Sequence, residues 1–331
     1  MSLVLPLAEV PGPAVAGGKG ASLGELIRAG IRVPPGFAIT VDAFALAMAA
    51  ADPAGQLRAR IGALAPDDLP AIATVSESFR RVITAAPVPA GVVAAVREAY
   101  RALGADAAIE DNGVAVRSSA TMEDSTAASF AGLQDTYLGV RGAADVLDAV
   151  RRCWASLYND ESVAYRRRIG LAEESLSMAV VVQVMVAPRA AGVMFTRSPA
   201  SGDRSVVAIE GVPGLGDALV AGEVTPDSFV ISKVTGEITS RRVAAAPCLA
   251  DDEIRALAAV GALAESHYGR PQDIEWAVLD GDGDPAERIA VLQSRPETAW
   301  AARDAAESGP VAAPRPRAAD HVLALFAKGL R

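Results

Sequence analysis

Gly17-Gly18-Lys19-Gly20-Ala21-Ser22-Leu23-Gly24-Glu25 is the stretch from which the chain is best read. Its lysine is conspicuous. Of 31 basic residues only three are lysine, at 19, 233 and 328. A lysine kept between glycines and ahead of a helical pattern is suited to act as a compact point charge on a phosphate. The glycines let backbone N–H groups approach an anion, and a helix N-terminus adds a favourable dipole. A solvated lysine in a loop remains the other reading of this segment. A P-loop is excluded. Pro13 stands where that motif needs its first glycine, and Gly20 follows the lysine where a magnesium-binding Ser or Thr belongs.

Outward from this turn, residues 21–29 read as a short helix closed by Gly30, and 31–40 as a turn into a strand. Residues 41–103 are helical and alanine-rich, and 113–118 form a short strand. The small-residue loop 119–135 is too long for a simple connector, which marks it as a lid or a mobile segment. Residues 143–170 read as helix, and the apolar run 178–187 as a buried strand, far short of a membrane span. Strands follow to 242, then a helix over 251–268 capped by Asp251 or Asp252. A hairpin pairs 274–279 with 289–294, and 308–317 is a linker before a helix at 321–330.

The 331 residues suffice for a large core divided into subdomains. A net charge of −9 argues against non-specific nucleic-acid binding. Cys153 and Cys248 fit neither a metal spacing nor a disulfide framework. The first nine residues lack the basic region of a signal peptide. These features lead us to expect a cytoplasmic protein away from membranes.

Two further constellations can carry chemistry. Val114-Ala115-Val116-Arg117-Ser118-Ser119 is an apolar strand ending in an arginine and hydroxyls. The guanidinium there suits a planar clamp on phosphate oxygens, or an ion pair with Glu123 or Asp124. In the hairpin, alternation places Asp273 and Glu275 on one face, and Gln293 and Arg295 on one face. A turn centred on Asp284 sets Glu275 opposite Gln293. Such oxygen ligands, completed by substrate phosphates, are what magnesium uses, although a polar sheet surface has the same pattern. The cluster from Glu210 to Asp217 lacks Rossmann spacing and reads as a tight glycine turn near a site, or simply as turn chemistry.

Taken in order, these segments resemble the ATP-binding region of the phosphoenolpyruvate synthase family. That family groups phosphoenolpyruvate synthase, rifampicin phosphotransferase and pyruvate phosphate dikinase. The resemblance rests on GGKGASLGEL (17–26) with VPPGFAIT (33–40), AVRSSATMEDSTAASFAGLQDTYLGV (115–140) and VVVQVMVAPRAAGVMFTRSP (180–199). It continues in GLGDALVAGEVTPD (214–227) and in PQDIEWAV (271–278) with VLQSRP (291–296). It implies an α+β, ATP-grasp fold, with nucleotide bound between an N-terminal α/β lobe (1–112) and β-rich lobes (113–305). A linker and terminal helix would follow at 306–331. It also implies catalytic phosphate contacts from Lys19, Arg117 and Arg295, and a lid holding Gly132 and Thr136. Gln183, with the backbone of Val184 and Met185, would meet adenine, and Glu275 and Gln293 would hold Mg2+ beside ATP.

The family pattern is not matched throughout. The hairpin is longer than expected through 280–288, and Pro213 stands where a bulky residue, usually tryptophan, is expected. Family members pass phosphate to a histidine on a swivelling domain, in a Thr-Ser-His-Ala type motif. This chain has only His267 and His321, neither in that setting. The expectation is therefore an ATP-dependent phosphotransferase module that delivers a phosphoryl group to a partner protein carrying the phosphohistidine and substrate domains. A regulatory nucleotide-binding module without turnover, and an ATP-grasp ligase forming an acyl phosphate, are the alternatives.

Overall fold

A computed structural model describes residues 2–106, 112–121, 124–125, 128–129, 135–220, 222–243, 246–298 and 300. Residues Met1–Pro296 form one compact unit and Glu297–Arg331 a second. The expected linker and terminal helix, with His321, lie outside the described residues.

The first unit is α+β, built on two antiparallel sheets. The five-stranded sheet has the order β1-β2-β7-β3-β6. Its members are β1 (Val4–Pro6), β2 (Gly36–Ile39), β3 (Val114–Ala120), β6 (Thr136–Val140) and β7 (Met178–Val184). Between β3 and β6, β4 (Asp124–Ser125) pairs with β5 (Ala128–Ser129). The six-stranded sheet has the order β11-β10-β9-β8-β12-β13. Its members are β8 (Pro188–Phe195), β9 (Val206–Pro213), β10 (Asp227–Ser232), β11 (Ile238–Arg242), β12 (Gln272–Leu279) and β13 (Ile289–Pro296).

Strand β7 explains the longest apolar run in the sequence. All seven of its residues are buried. Val180, Val182 and Val184 enter one core, with α2 (Val41–Ala51), α4 (Leu69–Ala85) and α6 (Ala143–Ser156). Ala179 and Val181 face a second core, shared with α1 (Pro13–Arg28) and the six-stranded sheet. A strand covered on both faces has no solvent side, so its sequence does not alternate. Helix α3 (Gln56–Gly62) and α5 (Ala90–Asp106) complete the helical layer, and α7 (Asp160–Ile169) follows α6 after a break at 157–159.

Several expectations change. The expected boundary at 112/113 runs through the five-stranded sheet, because β3 and β7 pair beside β1 and β2. The unit boundary falls after Pro296, where β13 ends. Helix α9 (Asp251–Tyr268) follows the short α8 (Asp217–Val220) and spans the expected residues, but its N-cap is Ala250. There the Glu253 carboxylate accepts the Ala250 N–H at 2.9 Å, so the local acidic side chain caps from inside the helix. The extra hairpin residues fold into the single helical turn α10 (Pro285–Arg288), N-capped by Asp284 on Ala286 N–H at 2.9 Å.

Helix α1 also starts earlier than expected and is kinked. Gly17 has φ 67° and ψ 178° inside it. The Ser119 hydroxyl from β3 enters the kink, donating to Ala16 O at 2.7 Å and accepting from Gly20 N–H at 3.2 Å. Those two backbone groups would otherwise bond to each other, i to i+4. A side chain inserted into the ladder is a recognised cause of a kink. Only glycine fits at 17, because a Cβ there would lie 2.0 Å from Ser119 O.

Candidate functional site

A cleft of about 390 Å³ opens between the two sheets. Its walls include Arg117, Thr136, Gln183, Val184, Met185, Glu275 and Gln293. These seven were singled out from the sequence, and the fold brings them to one place.

The hairpin supplies the acidic wall. In the β12–β13 register Glu275 faces Gln293 and Asp273 faces Arg295. Beyond Glu275 the register shifts, so Trp276 faces Val291 and Leu292 is left over as a bulge. The spare Leu292 carbonyl accepts from Arg117 Nη1 at 3.4 Å. The same Nη1 stands 3.5 Å from Glu275 Oε2. Arg117 Nε is buried and has no partner among the described residues. A guanidinium with one orphaned donor, loosely held at its other end, suits an anion with oxygens to offer.

Strand β3 arranges the site in a line. Ala115, Arg117 and Ser119 share one face, spaced by roughly 7 Å per two residues. Ala115 pairs with Gln183, where the apolar lining of Leu138, Val184, Val186, Pro188 and Leu215 gathers. Arg117 pairs with Val181 on one side and with Thr136 on the other. Ser119 then grips the turn of α1 that carries Lys19.

Lys19 itself is half-buried and does not line the cleft. It lies beyond the Arg117 end, close enough to act on Cys153. Burial and Asp135 push the Cys153 thiol far above its usual range, while Lys19 and Arg152 pull the other way. Arg295 is also outside the cleft lining, with its Nε 3.5 Å from Asp273 Oδ2. Thr136, expected in a lid, is the first residue of β6, opposite Arg117. Gly132 lies outside the described residues.

The three residues expected at the adenine edge line the cleft, and their N–H groups already have partners in the fold. Gln183 is 2% exposed, and its Nε2 donates to Pro34 O at 3.3 Å. The Val184 amide donates to Pro35 O at 2.8 Å and the Met185 amide to Gly113 O at 3.1 Å. Both N–H groups are therefore committed to the fold and are not offered to a base.

Other lining residues were not singled out. Ala115 and Leu138 sit two residues from Arg117 and Thr136 on the same faces, so alternation could have found them. Gly192 borders the cleft and also seats the fully buried Trp276. A Cβ on Gly192 would lie 2.0 Å from Glu210 O and 2.7 Å from the Trp276 ring. Leu215 and Gly216 come from the glycine turn, for which a place near a site and plain turn chemistry are both open from the sequence. Gly214 N–H donates to Arg189 O at 2.8 Å. Arg189 in turn meets buried Glu253 at 2.5 Å, as does Arg288 at 3.1 Å, tying the hairpin tip and the start of β8 to α9. Pro213 ends β9 and is exposed, so this wall is built by Leu215. His267 is exposed in the last turn of α9, its ring edge-on to Tyr268.

The donor set suits magnesium in its usual form. Among the described residues no group of three or more His, Cys, Asp or Glu could hold a metal alone. One carboxylate and one amide oxygen, from Glu275 and Gln293, match an ion that takes its remaining ligands from phosphates and water.

Residues 13–247 and 241–312 match the family described as pyruvate phosphate dikinase, AMP/ATP-binding domain. A rifampicin phosphotransferase from a Streptomyces species is 42% identical over 323 residues, covering 89% of this chain and 36% of that protein. A probable phosphoenolpyruvate synthase from Methanothermobacter thermautotrophicus is 41% identical over 312 residues, covering 86% of this chain and 44% of that protein. A rifampicin phosphotransferase from Bacillus subtilis is 36% identical, covering 90% and 36%. The chain thus spans less than half the length of these relatives. Among solved structures, an ADP complex of N5-carboxyaminoimidazole ribonucleotide synthetase covers 71% of this chain and 59% of its own, at 14% identity and a TM-score of 0.25. That likeness is too low to bear on the fold.

Proposed function

The chain belongs to the pyruvate phosphate dikinase AMP/ATP-binding domain family, and from that premise we propose that its cleft binds Mg-ATP and delivers the β-phosphoryl group to a histidine on a separate domain or partner. The observation that carries this reading is the line along β3: an apolar slot at Ala115 and Gln183, a guanidinium at Arg117, and the Lys19 turn at Ser119. A nucleotide laid along that strand has its base in the slot and its phosphates at the two cations, in an ATP-grasp arrangement.

In this reading Arg117 leaves Glu275 to hold phosphate oxygens, and its buried Nε gains an acceptor. Glu275 and Gln293 hold magnesium, which supplies charge neutralisation on the phosphates. Lys19 takes the far end of the polyphosphate, and Gln183 faces the base. Catalysis is positioning and charge neutralisation, with no covalent intermediate on these residues.

Isothermal titration with ATP, GTP and adenosine, each with and without magnesium, tests the reading. We expect magnesium-dependent ATP binding and much weaker GTP binding. Equal affinity for ATP and GTP, or no binding of either, refutes it.

A further inference from the structure

We propose that Ser119 is the positioning residue for Lys19. Its hydroxyl acts as a helix cap supplied from a distant strand, and so aims the lysine at the phosphate end of the cleft. This rests on the reading of Lys19 as a phosphate contact.

The geometry is that of an N-cap with the side chain moved elsewhere. Past the kink the helix restarts at Gly18, so Gly17 holds the cap position, Lys19 is N2 and Gly20 is N3. A cap side chain normally accepts from the N–H of N2 or N3. Gly17 has no side chain and has room for none. Ser119, 99 residues from Gly20 in sequence, accepts the N3 proton instead, and returns its own proton to Ala16 O. Ser119 is fully buried, so no water competes for either bond.

The consequence falls on Lys19. Its backbone takes helical geometry from the point where the second segment begins, and that point is set by the inserted hydroxyl. Without the hydroxyl, Ala16 O and Gly20 N–H are left with two outcomes. They stay buried and unpaired, which is unfavourable, or they rejoin and straighten the helix. Either outcome redirects Lys19. Arg117 shares the β3 face with Ser119, so one strand sets both cations: Arg117 directly, and Lys19 through the cap.

The test is a double-mutant cycle read by calorimetric titration of Mg-ATP and of adenosine, which has no phosphates. Ser119→Ala is expected to weaken ATP by roughly five- to tenfold while adenosine stays within about twofold. In a Lys19→Ala background, Ser119→Ala is expected to cost nothing further. Equal losses for ATP and adenosine, or additive losses in the cycle, overturn the proposal. If Lys19→Ala alone leaves ATP affinity unchanged, the nucleotide reading of Lys19 has failed, which is a different result from additivity. Should the alanine variant fail to fold, as judged by circular dichroism, Ser119→Cys carries the test. Its sulfur fills the space and bonds weakly, and the same ATP-selective, Lys19-dependent loss is required.

Discussion

Replacing Glu275 by glutamine should change the affinity for nucleotide in opposite directions with and without magnesium. Arg117 Nη1 stands 3.5 Å from Glu275 Oε2, with the two side chains 14% and 31% exposed. At an effective dielectric of about 20 the bare attraction is roughly 5 kcal/mol. Partial exposure and lost hydration leave a net worth of order 1 kcal/mol. Metal-free ATP must break this pair to reach Arg117, and it also meets the Glu275 charge. Glu275→Gln removes both obstacles, so metal-free ATP should bind about fivefold more tightly. Mg-ATP should bind about a hundredfold more weakly, because a charged partner is lost from the metal, on the order of 3 kcal/mol. The assay is calorimetric titration in excess magnesium and in chelator, at matched ionic strength, with circular dichroism confirming the fold. Equal weakening under both conditions would refute the reasoning. So would unchanged magnesium dependence, which would leave the hairpin as a polar sheet face.

Three further outcomes are expected. Gly192→Ala should lower stability by about 3 kcal/mol, since its Cβ meets the Glu210 backbone and the Trp276 ring; an unmoved urea midpoint would count against that packing. Stability should fall as pH rises above 9.0, the ordinary cysteine value. Burial raises Cys153, Cys248 (to about 12), Tyr137 and Tyr158, so the protonated forms are favoured when folded and the unfolded chain ionises first; urea midpoints at neutral and alkaline pH check this. Incubation with β-labelled ATP should leave no acid-labile label on His267, while an added phosphohistidine domain from a family member should take up label as AMP forms. Label on His267 would show that this chain carries the phosphate itself.

Most of the site was legible because its residues sit on strands. A two-residue period and a hairpin centre near Asp284 are enough to place Glu275 opposite Gln293, and the structure has that pairing. The single-residue bulge at Leu292 falls just beyond the pair, so it does not disturb it. The buried run of β7 was likewise readable from its length and composition. Helix and strand positions follow from local preferences, and these act over a few residues.

What the sequence could not decide depends on partners far along the chain. Lys19 reads as a residue ahead of a helix, but the kink that places it comes from Ser119, about a hundred residues later. The backbone of Val184 and Met185 is expected at the edge of a base, and its amides are taken by Pro35 and Gly113 from other segments. Within its own loop the sequence offers Arg117 a partner in Glu123 or Asp124 as the alternative to a phosphate, and the carboxylate beside it is Glu275 from the hairpin across the cleft. The sequence by itself determined the buried strand β7, the Glu275–Gln293 pairing and the family. Only the tertiary structure decided which donors are already occupied and where the two cations sit. Occupancy of a hydrogen bond is a property of two segments in contact, and no local pattern contains the second one.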